Sequence, residues 1–144
     1  MNTADALRNN RAIRIEEKAE FGAGAMDGNT MEFTEVRNLK LMDALEAIPT
    51  SEGQLFASLF RHGSLQIEIY APRGEDLQQP HTRDEVYVVA SGSGWFINGG
   101  KRMQFSKGDV LFAAAGEVHR FADFTSDLVV WVIFYGPEGG ERGK

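Results

Sequence analysis

The chain carries three histidines, His62, His81 and His119, and one of them stands four residues ahead of Glu85 at the entrance to an apolar run, in PHTRDEVYVVASGSG (residues 80–94). A strand core disfavours both groups, because an ionised carboxylate taken out of water is costly unless a partner charge or a metal ion faces it. Gln79, His81 and Glu85 are all odd-numbered, so in an extended chain they share a face with Tyr87 and Val89. Pro80 pushes Gln79 towards the extended region, whereas a turn at 82–84 would break the parity. His119, on a later strand, could close the set from across a barrel. Two imidazoles and a carboxylate form a ligand set that leaves coordination positions open on a divalent ion, and Gln79 could add a neutral oxygen. Such an ion activates O2, water or a chelating substrate as a Lewis acid.

Taken singly, His81 also reads as a loop histidine at a strand entrance, and His119 as the residue after a capped turn in AAGE. Their joint spacing with Glu85, in a strand offering that carboxylate no obvious cation, favours metal binding; a metal-free barrel would need it neutralised by protonation or by Arg83 or Arg120. Tyr87 and Phe121 lie two residues beyond Glu85 and His119, which makes them pocket-lining side chains or plain barrel core. His62 in FRHGS reads as a turn histidine, and Glu68 in SLQIEIY faces away from Leu65, Ile67 and Ile69, towards either solvent or the lumen, with solvent the commoner place for a carboxylate.

The elements that must position these residues are short apolar runs divided by turn residues, the pattern of an antiparallel sandwich or barrel. Strands are expected at 55–61, 64–71, 84–90, 94–98, 101–105, 109–113, 118–122 and 128–135. INGGK is an Asn-Gly hairpin turn, SKGD and AAGE are glycine turns, and APRGED is a wider loop. Ahead of them, Leu41, Leu45 and Ile48 have helical spacing and Pro49 stops the run, which gives one short helix. Residues 1–30 read as a polar extension, mobile or packing on a partner subunit; residues 31–135 as one barrel domain; and residues 136–144, GPEGGERGK, as a disordered tail.

With 144 residues, 42% hydrophobic and 25% charged, the composition is that of a single globular domain. A formal net charge of -6 without a Lys/Arg cluster argues against nucleic acid as a partner. The absence of cysteine removes thiolate ligands and nucleophiles and suits a cytoplasmic location. No apolar run approaches the length of a membrane span. ASGSGWF lacks the Gly-Lys-Ser/Thr of a phosphate loop and reads as a hairpin turn.

These residues resemble the cupin superfamily. Its first motif runs glycine, five residues, His-x-His, three or four residues, Glu, six residues, Gly; here it reads Gln79-Pro80-His81, three residues, Glu85, six residues, Gly92. The second motif reads here as Gly108, five residues, Ala114-Ala115-Gly116, two residues, His119, three residues, Asp123. Gln79 replaces the first histidine, Gly74 is one residue out of register, and Ala114 and Asp123 replace Pro and Asn. The resemblance implies an all-β double-stranded β-helix, a jelly-roll barrel with a lumen-facing metal site, and commonly a homodimer. With Gln79 as an oxygen ligand, preference shifts modestly towards Mn or Fe(II), with Zn and Ni still admitted. Fold analogy selects no reaction. The expectation is a small dioxygenase or isomerase acting on a chelating substrate, and the alternative a non-catalytic cupin that binds a small ligand or metal as sensor or carrier.

Overall fold

The computed structural model describes residues 38–143; the expected extension at 1–30 lies outside them. One short helix, α1 (Leu41–Glu46), precedes eight strands: β1 (Phe56–His62), β2 (Leu65–Tyr70), β3 (Asp84–Ser91), β4 (Gly94–Asn98), β5 (Lys101–Phe105), β6 (Val110–Ala113), β7 (His119–Ala122) and β8 (Val129–Tyr135). They form a five-stranded sheet in the order β1-β2-β8-β3-β6 and a three-stranded sheet in the order β5-β4-β7. Both are antiparallel, giving the expected jelly-roll barrel.

Alternation sets which side chains face the lumen. In β3, Glu85, Tyr87 and Val89 are buried while Val86 and Val88 are half-buried. Directly paired residues project to the same side of a sheet. The pairings of Tyr87 with Val132 and of Val132 with Glu68 therefore carry the lumen face across to β2. Glu68, expected in solvent, faces the lumen.

The opposite face explains that reversal. Ala44 of α1 packs with Ala57, Leu59, Ile69, Ala71 and Val129 in a second apolar cluster on the outside of the large sheet, flanked by Leu41, Leu45 and Ile48. The helix ends two residues before Ile48, yet all three residues that define its apolar stripe pack where the spacing places them. Ile69 is fully buried there, a burial that contributes about 1.5–3 kcal/mol. Between the sheets lies the main core, in which Tyr87, Phe96, Phe105 and Phe121 meet edge to face or tilted.

Gly92, the first-motif glycine after β3, shows why a turn must be glycine. Its φ is +87°, and a Cβ there would lie 2.7 Å from the Cα of Leu128, so an L side chain meets both backbone strain and a clash. Residues 136–143 are not the loose tail expected. The amide of Gly136 donates to Ser64 Oγ, that of Gly139 to the carbonyl of Thr82, and that of Glu141 to Asp84 Oδ2. A Gly/Glu-rich composition lacks apolar groups to bury, but these backbone donors find acceptors in the β1–β2 turn, in the loop that carries His81 and at the start of β3.

Candidate metal centre

Three chain segments bring the site together. His81 lies in the loop before β3, Glu85 is the second residue of β3, and His119 opens β7 in the other sheet. The loop is sewn to the β6–β7 turn: the Gly116 amide donates to the carbonyl of His81 at 2.7 Å, and the Ala115 amide to Asp84 Oδ1 at 3.0 Å. Both sequence motifs thus meet through backbone hydrogen bonds before any ligand is considered.

The ligand atoms of His81, Glu85 and His119 lie within 4.8 Å of one another. Glu85 Oε2 is 3.0 Å from His119 Nε2 and 3.8 Å from His81 Nε2. Glu85 is only 1% exposed, and neither of its carboxylate oxygens has a hydrogen-bond partner. The His119 contact is a charge contact, because the hydrogen-bond alignment of Nε2 is towards Tyr87 Oη at 2.9 Å. Arg83, a candidate neutraliser, instead donates to the carbonyl of Ser64 and to Gln66 Oε1. Arg120 is exposed on β7.

The hydrogen-bond chain around His119 fixes its protons. Gln78 Nε2 donates to Asp76 Oδ2 at 2.7 Å, which turns Gln78 Oε1 towards Tyr87; the Tyr87 hydroxyl donates to it at 2.9 Å. The tyrosine oxygen is then left to accept from His119 Nε2, while Nδ1 of the same ring donates to the carbonyl of Glu117 at 2.8 Å. Both ring nitrogens carry protons in this arrangement. Burial alone would lower the His119 pKa, but the Glu85 carboxylate, the Glu117 carbonyl and Asp76 together raise it above the ordinary 6.5. A metal ion would replace the Nε2 proton, with Nδ1 still oriented by Glu117.

A cavity of about 600 Å³ opens over His81 and Glu85. Glu68 and Tyr70 of β2 line its wall, and Gln79 is exposed at its rim. Burial raises the pKa of Glu68 above 4.5, against the Gln66 hydrogen bond and with added repulsion from Glu85. Burial, and next the hydrogen bond to Asp76, likewise raise that of Tyr70. Tyr87 is raised well above 10.0, chiefly by burial and then by Glu85.

His81, Glu85 and His119 come together as expected. Gln79 is exposed and lines the same cavity as His81 and Glu85, beyond a bend at Thr82 and Arg83 that interrupts the extended chain; its neighbour Gln78 hydrogen-bonds Asp76 and Tyr87. Tyr87 and Phe121 are buried beneath the site and are not among the cavity-lining residues; Phe121 is barrel core, and Tyr87 meets the site through its hydroxyl. Asp76 was missed altogether. It is buried and accepts from Tyr70 Oη, the Gln78 amide, Gln78 Nε2 and the Phe121 amide of β7. Nothing in the wide loop APRGED marks its aspartate as a buried acceptor.

The donor set fits a divalent cation: two imidazoles and an otherwise unpartnered buried carboxylate converge on one point, beside open volume for a further ligand. Comparison with known proteins gives the lineage. The sequence model of the cupin domain matches residues 66–135. An uncharacterized protein of Streptomyces coelicolor is 33% identical over 99 residues, covering 67% of this chain and 94% of that one. Among solved structures, a Klebsiella pneumoniae protein with a double-stranded β-helix domain aligns with a TM-score of 0.56 at 18% identity, over 70% of this chain and 90% of its own. A conserved Streptococcus pyogenes protein of unknown function aligns with a TM-score of 0.54 at 15% identity, over 80% and 99%. These two similarities concern the fold alone. Two-sheet topology, paired motifs and family match agree, and the chain belongs to the cupin superfamily.

Proposed function

We propose that this cupin holds a divalent ion, Fe, Mn, Zn or Ni, on His81, Glu85 and His119 and acts as a small metalloenzyme of oxygenase or isomerase type on a chelating organic substrate. The observation that carries the reading is Glu85: a fully buried carboxylate with neither oxygen hydrogen-bonded, set between two histidines. When bound, the ion would supply Lewis-acid activation at its open positions. The chain's own part is to orient His119 through the Glu117 carbonyl at Nδ1, to hold Glu85 in the interior between the two imidazoles, and to receive the substrate body in the adjoining cavity.

The test is elemental analysis of protein purified anaerobically without an affinity-metal step, beside His81→Ala and His119→Ala. About one equivalent of metal, lost in both variants, supports the site; equal loading in the variants sinks it. O2 uptake or isomerisation of a chelating substrate then supports catalysis, whereas tight ligand binding without turnover makes the protein a carrier or sensor. We further propose a homodimer, since β6 is an edge strand of the large sheet and exposes Val110 and Phe112. Sedimentation showing only monomer at micromolar concentration would refute it.

A further inference from the structure

The cavity beside the metal centre carries more information than its size. Leu55, Phe56, Tyr70, Leu77, Val132 and Phe134 make its wall largely apolar. The charged groups set into that wall are mostly carboxylates, Glu68, Glu75 and Glu85. Apart from the ligand histidine, Arg73 is the one cation among the described lining residues, and its Nη1 is turned to the carbonyls of Ala71, Pro72 and Leu128. Arg83 is committed to Ser64 and Gln66. A substrate bearing a second carboxylate or a phosphate needs a cation or a cluster of donors to receive it; the β2 wall of the cavity offers the Glu68 carboxyl there, and Arg73 stands exposed in the β2–β3 loop.

The register fixes where the acid stands. Glu68 pairs with Val132, which pairs with Tyr87, two residues along β3 from Glu85. Two strand spacings separate β2 from β3 across β8, so the Glu68 backbone is about 10 Å from that of Tyr87. Glu68 and Glu85 line the same cavity, so a ligand whose head lies at Glu85 extends its body along a wall that includes Glu68. Gln66 Nε2 donates to Glu68 Oε1 at 2.8 Å and orients the carboxyl. Glu68 disfavours an anionic body in either protonation state: ionised, it repels; neutral, it offers one proton where a carboxylate calls for a cation.

We infer that the cavity takes a ligand with a chelating head and an uncharged, apolar body carrying at most a neutral oxygen, and that Glu68 is the specificity-determining residue that turns away a second anionic group. The inference rests on the metal-centre reading, because the head is held at the ion. It narrows the substrate class from chelating organic compounds in general to catechol-like, hydroxyketone or diketone heads on neutral bodies, and excludes dicarboxylates and phosphorylated acids.

The test uses the full chain reconstituted with Co(II), whose visible bands report ligands entering the inner sphere, and two probes that share one head: 4-methylcatechol and 3,4-dihydroxybenzoate. The wild type should bind the neutral-bodied probe about tenfold or more tightly, and Glu68→Gln should shrink that ratio severalfold by gaining affinity for the carboxylated probe. Comparing the ratio between the two proteins cancels the different acidities of the two heads. Equal or tighter binding of 3,4-dihydroxybenzoate by the wild type overturns the proposal, as does a ratio unchanged in a folded, cobalt-loaded Glu68→Gln. Cobalt uptake without a spectral response to either probe overturns the cavity proposal and leaves the metal centre standing. Failure to take up cobalt overturns the metal centre, and the proposal with it.

Discussion

Removing the metal should lower the thermal midpoint of the wild type and leave Glu85→Gln nearly unmoved. Glu85 places two acceptor oxygens in the interior without a hydrogen-bond partner, and each such orphan costs about 1–3 kcal/mol. Some of that cost is offset by His119 at 3.0 Å; coordination would relieve the rest. With free metal at about 100 times its Kd, mass action stabilises the folded state by about 2.7 kcal/mol. For a domain of about 100 residues each kcal/mol moves the midpoint by ~4 °C or more, so the shift is roughly 10 °C. Replacing the one anionic ligand should weaken binding by more than the roughly 100-fold upper cost of losing a partner that merely orients a ligand. Differential scanning calorimetry at neutral pH, with metal, with chelator and with metal restored, reads both proteins. Equal midpoints for the wild type in all three conditions, or a full shift in Glu85→Gln, would refute the argument.

Metal uptake should weaken as pH falls through the raised pKa of His119 and release a proton there, since the ion replaces the proton on Nε2. In the metal-free protein the sign of stability is opposite: the His119 contribution is full below 6.5 and fades as pH rises through the raised value. Metal titrations and chelated melts at a series of pH values check both trends, and pH-independent affinity would contradict the assignment. Tyr87→Phe leaves Gln78 Oε1 without its donor and should destabilise by about 1–3 kcal/mol. It should not weaken metal binding, because Tyr87 Oη competes with an ion for His119 Nε2; a large affinity loss by metal titration would make the hydroxyl part of the site. Asp76→Ala strands four donors, including the buried Phe121 amide, and should cost roughly 3 kcal/mol or more in urea unfolding. A cost below about 1 kcal/mol would show that the loop repacks.

Strand positions were legible because each glycine turn interrupts a run of apolar or alternating residues, and all eight fall within two residues of the expected bounds. His81, Glu85 and His119 were legible because a charged group at the entrance of an apolar run conflicts with burial unless a partner exists. For Gln79 parity is no guide, because the bend at Thr82 and Arg83 interrupts the extended chain; it lines the same cavity as His81 and Glu85 from an exposed position. Glu68 was misjudged because alternation alone does not say which face is inward; α1, far off in sequence, covers the other one. Asp76 and Gln78 act through long-range hydrogen bonds that leave no periodic trace. The tail was judged by composition, whereas it is held through its own backbone amides, which composition does not describe.

Glu85 belongs to the five-stranded sheet and His119 to the three-stranded one. The width of the gap between the sheets therefore sets the ligand spacing, as the opening of a caliper sets the distance between its jaws. Asp76, gripping the Phe121 amide, and Asn98, gripping the carbonyl of Phe112, act as spacers on that gap. Substitutions that thicken or thin the interior at Phe96 or Phe105 should retune metal selectivity without touching a ligand, so homologues with the same three ligands need not prefer the same ion.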